Sequence, residues 1–263
     1  MDLGLEGKVA LVAAASKGLG RAAAEALARE GCNVAICSRD AARVKEAADA
    51  IRSRTGRDVL PVVADLTRTE DVERFVQAAV SRFGRLHIVV SNAGGPPAGT
   101  FDDLTEEQWQ QAIPQTLLSA VRLVRFSLPH LRASGWGRII FLTSMTVKQP
   151  IDNLVTSNVL RPAVVGLAKS LALQLAPENI TVNAIAQGYF LTERLQELAQ
   201  ENARRENVGA EAIYRRWEEN IPAKRLGRPE ELGDLVAFLA SERAGYITGT
   251  TISIDGGFVR SLL

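Results

Sequence analysis

At 263 residues, with 46% hydrophobic residues and a formal net charge of +1, the chain is long enough for one large core and has no compositional bias toward disorder. The near-neutral balance offers no basic face or tail for nucleic acid or anionic membrane, so a small molecule is the expected partner. Residues Met1 to Lys8 lack a charged segment followed by an apolar one, and no later run reads as a span of roughly 18 apolar residues, so the expected location is cytoplasmic.

In chain order, short β-branched runs alternate with longer stretches of helical period. Strand Val9 to Val12 precedes a helix over 19–30, strand Asn33 to Cys37 a helix over 41–54, and strand Val59 to Val63 a helix over 69–83. The pattern continues through strand Ile88 to Ser91, helix 105–133, strand Arg138 to Thr143, helix 154–176, strand Thr181 to Ala186 and a closing strand Thr251 to Ile254. This alternation predicts a single doubly wound α/β domain of Rossmann type over 1–263, with a seven-stranded parallel sheet covered by helices on both faces. The segment 189–228, rich in Arg, Glu and Asn, has no place in the alternation and reads as an insertion over the ligand edge, a substrate lid.

Cys32 and Cys37 flank one apolar run and read as buried thiols rather than a disulfide. The two histidines, His87 and His130, have no partners at metal-ligand spacing, so no metal is expected. Surface or capping roles are expected for both.

The first strand runs into Ala13-Ala-Ala-Ser16-Lys17-Gly18-Leu19-Gly20, which opens directly into a helix. Gly18 and Gly20 allow a backbone to approach phosphates, and the helix N-terminus offers N–H groups and positive dipole to a pyrophosphate. At the end of the second strand an acidic residue would bond a ribose 2′-hydroxyl, whereas a cation accommodates a 2′-phosphate. The chain has Ser38-Arg39 there, and with Lys17 this favours NADP over NAD.

The order of further motifs resembles the short-chain dehydrogenase/reductase family, in particular its 3-oxoacyl-acyl-carrier-protein reductase branch. Besides the glycine turn these are Asp65-Leu66-Thr67, Ser91-Asn92-Ala93-Gly94, Asn183-Ala-Ile-Ala-Gln-Gly188, Arg228-Pro-Glu-Glu231 and Ile254-Asp-Gly-Gly257, spread over essentially the whole chain. The resemblance implies that Asp65 and Leu66 meet the adenine, that Asn92, Ala93 and Gly94 line its ribose side, and that Gly188 and Thr192 border the nicotinamide. It also implies a homo-oligomer, a tetramer or dimer, that pairs the long helices at 105–133 and 154–176. In the family's glycine turn Thr-Gly stands where this chain has Ala13-Ala14. A methyl group at Ala14 disfavours any positive φ and crowds a pyrophosphate, so weakened binding is expected.

The resemblance implies a catalytic set of serine, tyrosine, lysine and asparagine, and the chain departs from it. Ser144 keeps the serine position, but thirteen residues on the tyrosine position holds Ser157, the lysine position Arg161 and the asparagine position Thr116. Phenol ionises near ~10 and an alcohol much closer to water at ~15.7, a difference of roughly 7 kcal/mol in proton-transfer driving force. Ser157 is therefore expected to orient a carbonyl rather than protonate it. Arg161 can still bond ribose hydroxyls and supply positive charge, but it cannot shuttle a proton. Tyr189 and Lys148 are nominated as substitute acids, with water as a third source. Pro162 and Pro114 each remove a helical N–H and predict kinks beside Arg161 and Thr116.

Two functions compete. One is an NADP-dependent oxidoreductase on a carbonyl or alcohol, with an unusual proton donor. The other is a silent dinucleotide-binding or assembly protein. Non-redox chemistry in the same cleft ranks behind both, and the oxidoreductase is preferred.

Overall fold

A computed structural model describes residues 2–262. Seven parallel strands form one sheet in the order β3-β2-β1-β4-β5-β6-β7. They are β1 (Val9–Val12), β2 (Asn33–Ser38), β3 (Val59–Val63), β4 (Ile88–Ser91), β5 (Gly137–Leu142), β6 (Ile180–Gln187) and β7 (Thr251–Ile254). Nine α-helices connect them among the described residues: α1 (Gly18–Arg29), α2 (Ala41–Thr55), α3 (Thr69–Phe83), α4 (Glu106–Ile113), α5 (Ser119–Ala133), α6 (Val155–Leu175), α7 (Glu193–Glu206), α8 (Ala210–Asn220) and α9 (Pro229–Ala240).

The period of two along each strand sorts side chains into two cores. Ala10, Val12, Val34, Ile36, Ile88 and Val90 pack under α1, α2 and α9. Val9, Leu11, Ala35, Cys37, Val89 and Phe141 pack under α3, α5 and α6 on the opposite face. Apolar side chains on both faces explain why the strands read as continuous hydrophobic runs and why the sheet is parallel. Cys32 and Cys37 are buried free thiols within these cores.

The order in which strands are added reverses between β1 and β4, which pair directly and in parallel with Ala10 opposite Ile88. Ligands of open α/β sheets bind beyond the strand ends at such a switch point. The reversal brings together two segments far apart in sequence, the glycine turn after β1 and the Asn92–Gly94 loop after β4.

Several details differ from expectation. The helix foreseen at 105–133 is three pieces: α4, a π-helical segment Pro114–Leu118, and α5. Pro114 cannot donate to Gln110, and the ladder is re-formed with one residue more per turn. At Pro162, by contrast, α6 runs on as one helix. Helix α9 went unread in the sequence, although Pro229 at its first turn and the Glu231 carboxylate accepting from the Arg228 N–H at 2.8 Å are helix-start signals. Helix α6 with its following turn, Val155–Glu178, is long and apolar enough by composition to cross a membrane, which its sequence had not suggested. In the fold it lies against β5 and β6.

His87 is buried rather than at the surface, and its Nδ1 accepts the Val9 N–H at 3.0 Å, capping the start of β1. Its partners tolerate only the neutral ring, and burial with nearby Lys8 and Arg85 pushes its pKa down to about 4. His130 lies half-buried near the end of α5.

Candidate functional site

At the carboxyl ends of β1, β4, β5 and β6 lies a cleft of about 540 Å³. One wall is the glycine turn. Helix α1 begins at Gly18 with Lys17 as its N-cap, and no side chain caps its first N–H groups. Those unsatisfied donors, with no acidic residue in the first turn, suit an anionic diphosphate. Gly20 is required by packing, because a Cβ there would stand 2.5 Å from the Ala14 carbonyl oxygen and 2.7 Å from Asn92 Nδ2. Asn92 Nδ2 donates to that same carbonyl at 3.1 Å, tying the loop after β4 to the turn after β1.

Ala14 has φ +47°, and Gly18 has φ +56°. The turn therefore demands the left-handed region twice, once from a glycine and once from a residue with a Cβ, at a cost of about 1–2 kcal/mol for the latter. The strain foreseen for Ala14 is present in the backbone.

Ser16, Lys17, Gly18, Leu19, Ser38, Arg39, Asp65, Leu66, Asn92, Ala93, Gly94, Gly188 and Thr192 all line the cleft, and Gly20 lies behind it. Asp65 is a turn-former as well: its Oδ1 accepts from the Thr67 N–H at 2.9 Å and from Thr67 Oγ1 at 2.8 Å. At the mouth, Lys17 Nζ bonds Glu193 Oε2 at 2.7 Å, and Arg43 lies 3.7 Å from the same carboxylate. Lys17 and Arg43 hold Glu193 well below the usual carboxylate range. Arg39 is exposed and makes no ion pair among the described residues.

At the β5 end, Ser144, Ser157 and Arg161 line the cleft. Ser144 Oγ accepts from the Thr146 N–H at 3.1 Å, which starts the short turn Met145–Val147. Ser157 is buried, and its Oγ lies 3.1 Å from Thr146 Oγ1. Thr146, absent from the sequence-based set, thus fixes both serines. Ser157 and Arg161 are four residues apart on α6 and share one helix face. Arg161 is buried, and its NH1 donates to the Leu142 carbonyl at 3.2 Å.

Thr116 and Lys148 lie outside the cleft, and Tyr189 is held within it by an aromatic neighbour. Thr116 does not line the cleft: the π-helical segment turns it inward, where it and Arg161 border a separate void of about 10 Å³ and its Oγ1 has no partner. Lys148 is not among the cleft residues and only closes the turn after Ser144 through its backbone. Tyr189 does line the cleft, but it stacks on Trp217 with centroids 4.9 Å apart. Burial and the Asp152 charge push its phenol up to about 12, which makes it a poorer acid than free tyrosine.

The segment 189–228 folds as α7 and α8 around Leu195, Ala199, Ile213 and Trp217. Glu193, Arg194, Leu195 and Leu198 of α7 face the cleft. Arg194 lies across Gly95, where a Cβ would meet its Nε at 2.8 Å. Gln187 also lines the cleft, with Nε2 donating to the Thr143 carbonyl at 2.6 Å and Oε1 without a partner. Its place directly before Gly188 was the signal that could have flagged it.

The geometry has close counterparts. Residues 13–259 match the family described as enoyl-(acyl carrier protein) reductase. Dehydrogenase/reductase SDR family member 4 from Sus scrofa is 36% identical over 254 residues, covering 96% of this chain and 88% of that protein. This chain is a short-chain dehydrogenase/reductase. Among solved structures, L-sorbose reductase from Gluconobacter frateurii, complexed with NADPH and L-sorbose, superimposes with a TM-score of 0.94 at 35% identity and complete coverage of both chains. Actinorhodin polyketide ketoreductase with NADPH follows at a TM-score of 0.93 and 28% identity, over 97% of this chain and 98% of that one. Membership makes this chain an NAD(P)-dependent oxidoreductase.

Proposed function

We propose that the protein reduces a carbonyl substrate with NADPH, using a serine pair where the family uses serine and tyrosine. The supporting observation is that one cleft joins Ser38 and Arg39, after β2, to Ser144, after β5, with Ser157 beside it. Three strand spacings separate those strand ends, roughly 14 Å. That span suits an extended dinucleotide lying across the switch point, its diphosphate against the open N-terminus of α1. Lys17 and Arg39 would hold the 2′-phosphate, Asp65 and Leu66 the adenine, and Gly188 and Thr192 the nicotinamide end.

The dinucleotide, when bound, supplies hydride to the carbonyl carbon. Ser144 and Ser157 donate hydrogen bonds to the carbonyl oxygen, and Thr146 keeps Ser157 in one rotamer. A proton from solvent completes the alcohol, since neither serine is acidic enough to release one and Tyr189 is held by its aromatic neighbours. Arg161 takes the lysine position and contributes fixed positive charge beside the developing alkoxide.

Copies are proposed to associate through α5 and α6, where Val159 and Leu173 are 54% and 73% exposed. Light scattering tests this, and a monomer at all concentrations would refute it.

The enzymatic proposal is tested by titrating NADPH through its fluorescence, then following loss of its absorbance with ketones, aldehydes and β-ketoacyl thioesters. Binding without turnover on any carbonyl overturns it in favour of a silent dinucleotide-binding protein. Combining Ser157→Tyr, Arg161→Lys and Thr116→Asn sharpens the result. Activity appearing only in that triple variant shows that the parent site is silent.

A further inference from the structure

The chain buries two arginines, and it treats them differently. Arg138 is 2% exposed and lies away from the cleft, held by Nε donating to the Ser241 carbonyl at 3.3 Å, NH1 donating to the Gly137 carbonyl at 2.8 Å, and the Trp136 ring, whose centroid is 4.0 Å from the guanidinium. Arg161 is 8% exposed and has one hydrogen bond, from NH1 to the Leu142 carbonyl at 3.2 Å. Among the described residues it has no carboxylate partner. A guanidinium carries five N–H donors and stays charged, and no Arg161 nitrogen is among the fully buried polar atoms without a partner, so its unspent donors open onto the cleft.

The surroundings deepen the deficit. Arg194 adds a second guanidinium near the same part of the cleft, and together with burial its charge pushes the Arg161 pKa down to about 10. Arg194 has a carboxylate of its own, Glu197 at 3.3 Å, and Arg161 does not. The two acidic residues that line the cleft are committed elsewhere, Asp65 to Thr67 and Glu193 to Lys17. A buried charge without a partner is costly, and where it lines a cleft a bound ligand can supply the counter-charge. The dinucleotide's anionic groups are accommodated by other residues, the diphosphate at the start of α1 and the 2′-phosphate at Lys17 and Arg39. Ribose hydroxyls are neutral and leave the charge on Arg161 uncompensated.

We infer that Arg161 is a substrate-binding residue that seats the carboxylate of an oxo acid, in a bidentate contact one helical turn from the serine that holds the reacting carbonyl. Side chains four apart on a helix are separated by about 5–6 Å at Cβ. With the carbonyl at Ser157 and the carboxylate on its neighbour along the same helix face, the arrangement suits short acids whose oxo group lies one or two carbons from the carboxylate. The planar fork of arginine matches a carboxylate in a way that lysine at this position does not. The substrate class of the proposed reductase is thereby narrowed to short 2-oxo and 3-oxo acids, and this step rests on the carbonyl-reductase reading of the cleft.

The test compares pyruvate and acetoacetate with their methyl esters, first by calorimetric binding to the protein saturated with NADP and then by NADPH oxidation. A charge-assisted bond to a buried partner corresponds to about ten-fold or more in affinity, so each acid is expected to bind at least that much more tightly than its ester. Arg161→Gln abolishes the discrimination, whereas Arg161→Lys restores part of it, with NADPH affinity measured separately in each variant. Equal affinity for acid and ester in the parent protein, or no measurable binding of either acid, overturns the assignment without reference to any variant. Acid discrimination retained in Arg161→Gln overturns it equally. Discrimination in binding with no NADPH oxidation leaves the anion seat standing and removes the reductase reading. Oxidation of NADPH by neutral carbonyls with no preference for acids does the reverse.

Discussion

Replacing Ala14 with glycine should make this enzyme more stable and a better dinucleotide binder, although it removes a side chain. Ala14 sits at φ +47° on the wall of the cleft. The left-handed conformation costs an L-residue with a Cβ about 1–2 kcal/mol, and glycine escapes that cost. Glycine loses more freedom on folding, which returns roughly 0.5–1 kcal/mol. The net expectation is a gain of about 0.5–1 kcal/mol, or ~1–4 °C in Tm for a chain of this length. The hydrogen bond from Asn92 Nδ2 to the Ala14 carbonyl at 3.1 Å involves backbone and survives the change. Differential scanning calorimetry measures the first effect, and NADPH titration the second, where removal of the methyl group should lower Kd. Gly18→Ala is the companion control: at φ +56°, with its new Cβ 3.5 Å from Thr192 Cγ2, the change adds strain without a clash and should lower Tm. If Ala14→Gly leaves Tm unchanged or lowers it while Gly18→Ala is harmless, backbone strain at this turn is refuted.

Gly20→Ala should be more damaging than either, because the added Cβ meets the Ala14 carbonyl oxygen at 2.5 Å and Asn92 Nδ2 at 2.7 Å; a loss of about 1–3 kcal/mol and of dinucleotide binding is expected in denaturant titration and fluorescence. Lys17→Ala should weaken NADPH more than NADH, and Glu193→Gln, which frees Lys17 from its 2.7 Å partner, should strengthen NADPH binding at low salt; equal effects on both dinucleotides would refute a 2′-phosphate role. His87 has a folded-state pKa of about 4 against an ordinary 6.5, so its contribution to stability is complete above about 6.5 and is lost as pH falls toward 4. His87→Gln should therefore be destabilised at neutral pH, with a deficit that shrinks on acidification, as read from urea midpoints at both ends of that window.

The alternation of strands and helices was legible in the chain because periods of two and 3.6 are local properties that each segment carries by itself. The glycine turn was legible too, since Gly18 and Gly20 stand within a few residues of one another between a strand and a helix, whereas the positive φ of Ala14 runs against its local preference and is imposed by the turn. Helix α9 was hidden, its hydrophobic face blending into the Arg- and Glu-rich insertion before it. Thr116 was assigned by counting residues, which does not say which way a side chain points, and the π-helical segment after Pro114 turns it into the interior beside Arg161.

What needed the tertiary structure were relations between residues far apart. Lys17 and Glu193 are separated by 176 residues and meet only because α7 closes over the first turn. Thr146 gains its role by facing Ser157 across eleven residues. The isolation of Arg161 is a property of its surroundings: whether a buried guanidinium is satisfied depends on every carbonyl and carboxylate that folding brings near it, and no local pattern records that sum.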